Sequence, residues 1–89
     1  MANHSSRLRT CLETLEAYIR SGVFNAISLA EGTVDEFANR EPDLIRRIDA
    51  LDDLRKGVEN MAVNGARLGT ANEVLAHIDK KLRELQRDN

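Results

Sequence analysis

The stretch Phe24-Asn25-Ala26-Ile27-Ser28-Leu29-Ala30-Glu31-Gly32-Thr33-Val34-Asp35-Glu36-Phe37-Ala38-Asn39 decides how many helices this chain has. Ile27, Ala30, Val34, Phe37 and Ala38 recur at three- and four-residue spacing, the period of one helix face and not the alternation of a strand. Gly32 stands in the middle and leaves two readings open. A continuous helix over 24–39 carries it as an interior glycine at a cost of about 1 kcal/mol relative to alanine. Alternatively Gly32 ends one short helix and Thr33 caps the next, since Thr33-Val34-Asp35-Glu36 has capping-box spacing. Leu29 lies off the stripe of the continuous helix, as a stray exposed apolar residue or as part of a second contact face.

The helical period continues to either side. Leu8, Cys11, Leu12, Leu15, Tyr18 and Ile19 predict a helix over 6–20, capped by Ser5 or Ser6, stopped by Gly22 and preceded by a flexible tail at 1–5. Pro42 suits a first helical turn, where its missing N–H costs nothing. A helix over 42–63 follows, with Leu44, Ile45, Ile48, Leu51, Leu54, Val58, Met61 and Ala62 on a wide apolar stripe and Asn64-Gly65 as terminator. Gly57 within it is either a point of close helix approach or a tolerated glycine. Thr70-Ala71-Asn72-Glu73 repeats the capping-box spacing and starts a helix over 71–87. There Leu75, Ile78, Leu82 and Leu85 fall at heptad spacing with Val74 beside them, and Asp79–Arg83 and Lys80–Glu84 are placed to pair on the wet side. The similar segments Gly32 to Phe37 and Gly69 to Val74 are too short to establish a repeat, because capping chemistry alone favours Thr and Glu at those positions.

The expected fold is all-α: a small antiparallel bundle of four helices, or five if the second breaks at Gly32, forming one domain over 6–89. Eighty-nine residues with three aromatics (Tyr18, Phe24, Phe37) and no Trp give a modest core. Chains of this size often complete such a core by association, so a dimer is expected. Thirteen basic against fifteen acidic side chains, a net charge of −2, supply no basic field for nucleic acid. The local acidic run Glu31, Asp35, Glu36, Glu41 and Asp43, relieved by Arg40, reads as a solvated face in preference to a complement for a basic partner. No apolar run reaches the roughly 18 residues of a membrane span, and the polar faces mix both charge signs, which disfavours surface adsorption to lipid. The single cysteine and an N-terminal stretch without a signal-peptide apolar region predict a cytoplasmic chain, or one exported by a route that leaves no such mark.

Chemistry finds little support in the residue types. Cys11 with His4 or His77 is the only thiol–imidazole combination, but Cys11 lies on an apolar stripe where desolvation favours the unreactive thiol. Around His77, Glu73, Lys81 and Glu84 do not make a metal ligand set, and Asp52 and Asp53 point different ways on a helix. Gly65-Ala66-Arg67-Leu68-Gly69-Thr70 lacks the Gly-Lys-Ser/Thr ending of a phosphate loop. No catalytic residue, cofactor or metal is therefore assigned.

Ser21-Gly22-Val23-Phe24-Asn25-Ala26-Ile27-Ser28, with Leu54-Arg55-Lys56-Gly57-Val58 further on, is similar to segments of ParD-type bacterial antitoxins, and Ala66-Arg67-Leu68 through Glu73-Val74 resembles their toxin-wrapping tails. The resemblance implies a ribbon-helix-helix unit, with the glycine, aromatic and serine joining its two helices, and a role in toxin neutralisation. The family's alternating basic strand has no counterpart before Leu12, and Leu29 stands where an acidic residue usually follows the serine.

The expected function is a non-enzymatic helical interaction module, an adaptor, inhibitor or chaperone for a protein partner. An antitoxin-like regulator and a structural homo-oligomer are the alternatives. The candidate contact residues are Phe24, Leu29, Phe37, Leu75, Ile78, Leu82 and Leu85. Intramolecular core is the expected place of all of these except Leu29.

Overall fold

A computed structural model describes residues 4–21, 23–63 and 68–87. Among them are four helices and no strand: α1 (His4–Ser21), α2 (Ala26–Asn39), α3 (Leu44–Val63) and α4 (Leu68–Arg87). The hairpins α1–α2 and α3–α4 pack on each other, α3 reaching both α1 and α2 and α4 reaching α2, so that α1 and α4 face each other across the long diagonal.

Gly32 is interior to α2, which settles the count at four. Thr33 does not cap: its hydroxyl donates back to the Leu29 carbonyl at 2.9 Å, as a threonine inside a helix does. Burial of Ala30, Val34, Phe37 and Ala38 on one face outweighs the roughly 1 kcal/mol helix penalty of the glycine.

All four helix starts differ from expectation, α2 beginning at Ala26 and leaving Phe24 in the turn before it. Helix α1 begins at His4 and takes Ser5 and Ser6 inside it. Helix α4 begins at Leu68, so Thr70 and Glu73 lie within it instead of forming a capping box at its edge. A cap is worth only about 1 kcal/mol, and a helix that continues past it gains backbone hydrogen bonds without moving Ala71 or Val74 from the core. Helix α3 starts after Pro42, because the Asp43 carbonyl is the acceptor for the Arg47 N–H at 2.9 Å. The proposed terminators Gly22 and Asn64-Gly65 and residues 1–3 of the expected tail at 1–5 lie outside the described residues, while residues 4 and 5 of that tail are helical. The strand that an antitoxin-like ribbon would need before Leu12 is absent from 4–21, which are helical throughout.

Leu15, Ile19, Val34, Leu51, Leu54, Val58, Val74 and Ile78 are sealed from solvent at the centre, with the small Ala30, Ala50 and Ala71 letting the helices close over them. Gly57 acts by close approach: a Cβ there would overlap the Leu12 side chain of α1. Ile45, expected on the α3 stripe, is instead exposed. It sits roughly 100° around the helix from Leu44, near the end of the bundle.

The seams are polar and cross-helix. Arg55 donates from Nε to Asp79 at 2.7 Å and from Nη1 to Glu59 at 2.9 Å, and hydrogen bonding to Asp79 followed by the charges of Asp79 and Glu59 holds its guanidinium more firmly protonated. Asp79 thus pairs with α3 and not along its own helix with Arg83. Opposite, His77 Nε2 lies 2.8 Å from Asp35, with Lys81 Nζ 3.5 Å from the same carboxylate oxygen.

Candidate interaction surface

Ser21 and residues 23–25, which lie between α1 and α2, carry hydrogen bonds of their own. The Ser21 hydroxyl donates to the Tyr18 carbonyl at 3.0 Å and accepts from the Val23 N–H at 3.3 Å. The Ala26 N–H donates to the Val23 carbonyl at 3.1 Å, and the Asn25 carbonyl accepts the first bond of α2 from Leu29 at 3.0 Å. Ala26 is buried beneath the turn. Phe24 is wholly exposed at 105% of its reference surface, beside half-exposed Val23, with Leu29 exposed at 39% just over one turn into α2. Ser21, Asn25 and Ser28 supply an exposed rim of uncharged polar side chains.

Of the seven candidate contact residues, the structure brings Phe24 and Leu29 to the surface at this end of the hairpin. Phe37 and Ile78 belong to the core, and Leu75, Leu82 and Leu85 pack partly buried against it. Phe24 therefore reverses its expected place, for a physical reason: it precedes α2 and sits in a turn, so the helical period that buries Ala30, Val34 and Phe37 does not govern its direction. One signal in the sequence was informative. Residues 21–30 hold no Asp, Glu, Lys or Arg, the longest such run in a chain that is 31% charged.

A groove of about 540 Å3 follows the outer seam of the same hairpin. Thr10, Thr14 and Tyr18 line it from α1 and Thr33 from α2, with Cys11 and Phe37 also contributing. Its charged side chains, Arg7, Glu36 and Arg40, gather where α1 begins and α2 ends, leaving the Thr14–Tyr18–Thr33 end uncharged. Thr14 and Thr33 spend their hydroxyls on the carbonyls of Thr10 and Leu29, at 3.0 and 2.9 Å.

Beyond its charged end, Arg7 Nη2 donates at 2.6 Å to a carboxylate oxygen of Glu41, the one buried charged side chain among the described residues. The Glu41 carbonyl accepts from Arg47 Nε at 2.9 Å. The acidic run at 31–43 is thus largely committed within the fold: Glu41 to Arg7, Asp35 to His77 and Lys81, and Glu36 to Arg40 at 2.9 Å.

The candidate chemical groups are similarly occupied. Burial, reinforced by the Glu36 charge, pushes the Cys11 thiol up to about 12, so it is protonated at neutral pH. His77 sits across the bundle, its Nδ1 3.8 Å from Glu31 and its Nε2 on Asp35. Among the described residues no group of three or more His, Cys, Asp or Glu side chains is arranged to hold a metal ion, and no helix is long and apolar enough to cross a membrane.

The fold and surface together define an all-helical four-helix bundle that displays a neutral apolar turn. Comparison with protein-family models, curated proteins and solved structures returns no match.

Proposed function

We propose that this chain is a non-enzymatic, cytoplasmic interaction module that engages a protein partner through the α1–α2 turn, as an adaptor, inhibitor or chaperone. The observation that carries the reading is the complete exposure of Phe24, beside backbone hydrogen bonds at Val23 and Ala26. A phenylalanine left in water forfeits roughly 1.5–3 kcal/mol of burial, which a partner's surface recovers. Aromatic anchors ringed by uncharged polar groups are also the anatomy of binding hot spots. Burial of the only cysteine as a protonated thiol supports a role without thiol chemistry. Toxin neutralisation is one form such inhibition takes, and nothing in the fold favours it over the others. Self-association belongs to the same reading, since a second copy is itself a protein partner.

The test is affinity capture of tagged chain from its native cells, comparing wild type with a Phe24→Ser, Leu29→Ser double variant of unchanged thermal stability. A stoichiometric protein retained by the wild type and lost by the variant supports the reading. Equal retention by both places binding elsewhere on the bundle.

A further inference from the structure

The α1–α2 hairpin carries both an apolar knob, Phe24, and a groove whose nearer end is uncharged, and the bundle uses neither. We propose that they fit each other between two copies of the chain, the Phe24 of each molecule seating in the α1–α2 groove of the other. The proposal rests on the turn being a docking surface and names its occupant as a second copy.

Three observations point to self-recognition. The first is size and chemistry. At about 540 Å3 the groove falls within the range of roughly 300–1,000 Å3 typical of ligand pockets and has room for an aromatic ring, with Tyr18 and Phe37 among its lining to meet it. The hydroxyls of Thr14 and Thr33 are already bonded to helix carbonyls, so an apolar occupant leaves them satisfied. Their protons are committed, so only their oxygen lone pairs are left for a polar ligand.

The second is charge. The molecule carries a net −2, so two copies approach most readily where neither presents an ionised group. Residues 21–30 and the Thr14–Tyr18–Thr33 end of the groove are both such places. The third is symmetry. Knob and groove lie on one hairpin, so reciprocal insertion makes each contact twice and closes as a two-fold dimer, whereas one-way insertion would run on as a chain. Phe24 with parts of Val23 and Leu29, against two grooves, buries on the order of 1,000 Å2 in total. That is below the usual size of stable interfaces and marks the association as a weak one.

Sedimentation equilibrium of the full chain from about 5 µM to 1 mM tests this, read alongside the emission of Tyr18, the single tyrosine of a chain without tryptophan. The expected result is a monomer–dimer transition with a parallel change in Tyr18 emission. Phe24→Ser, which removes the knob, and Thr14→Arg, which charges the groove, each weaken the dimer at least tenfold while circular dichroism melts stay unchanged. Mixing the two variants restores partial association, because the intact groove of one receives the intact knob of the other.

A wild-type monomer throughout the range, a Phe24→Ser dimer of undiminished strength, a dimer silent in Tyr18 emission, a mixture no better than its components, or assembly beyond the dimer would each overturn the proposal. A wild-type monomer that nevertheless captures a different protein through Phe24 overturns the self-pairing alone and leaves the docking surface standing. Loss of both dimer and captured partner removes the docking surface as well.

Discussion

The two ends of the α1–α2 hairpin are built in opposite ways. At the turn, apolar Val23 and Phe24 face water, while at the open end a carboxylate, Glu41, is buried under Arg7. Each inverts the usual partition, and each has hydrogen bonds beside it: backbone and Ser21 bonds at Val23 and Ala26 flank Phe24, and the Arg7 guanidinium neutralises Glu41. The difference teaches which end is structural. A buried ion pair is costly to break from one side, whereas an exposed phenylalanine contributes almost nothing to the isolated fold.

The largest effect is therefore expected at the open end. Arg7→Met strands a buried carboxylate and should lower unfolding free energy by about 2 kcal/mol in urea titration, at the modest end for such pairs because Arg7 is itself partly solvated. Glu41→Met, which leaves only a half-exposed arginine unpaired, should cost less. Equal losses would mean that Glu41 is solvated and that the two ends do not differ in kind.

Cys11 lies one helical turn along α1 from Arg7 and shares this buried character. A thiol whose folded value is raised from 9.0 to about 12 contributes its stability in full below about pH 9 and loses it as pH climbs through that window. At pH 10.5 the wild type should have lost about 2 kcal/mol more than Cys11→Ala has, each relative to its own stability at pH 8. Parallel pH profiles would show that the seam admits water.

Glycines along the hairpin and its neighbour sharpen the contrast between open and closed surface. A Cβ at Gly32 meets nothing, so Gly32→Ala should stabilise α2 by about 0.5–1 kcal/mol. The same change at Gly57 must displace Leu12, and thermal unfolding should place Gly57→Ala below Gly32→Ala by about 1–2 kcal/mol. The smallest effect is expected at the turn. Phe24→Ser should change the stability of the monomer by no more than about 0.5 kcal/mol, measured at low micromolar concentration. A larger loss would reveal that Phe24 packs within its own bundle.

Much of the fold was legible in advance because helix periodicity is local. Leu15, Ile19, Leu51, Leu54, Val58 and Ile78 lie in the core that their spacing indicates. Helix starts were less legible, because a capping signature at Ser5 or Thr70 is a preference of about 1 kcal/mol that a longer helix overrides. The surface was legible in its residues but not in its roles: Phe24, Leu29, Phe37 and Ile78 are all apolar, and only the first two are exposed.

The sequence by itself determined an all-helical chain, a break between the second and third helices near Pro42 and most of the stripes that had to be covered, since these follow from spacing along one chain. Tertiary structure decided what depends on residues distant in sequence. It fixed the continuity of α2 through Gly32, the approach of Leu12 to Gly57, the pairing of Arg7 with Glu41 and of Asp79 with Arg55, and the outward direction of Phe24. The energies involved are a kilocalorie or two each, too small to be read from local pattern and large enough, once the helices pack, to select a single arrangement.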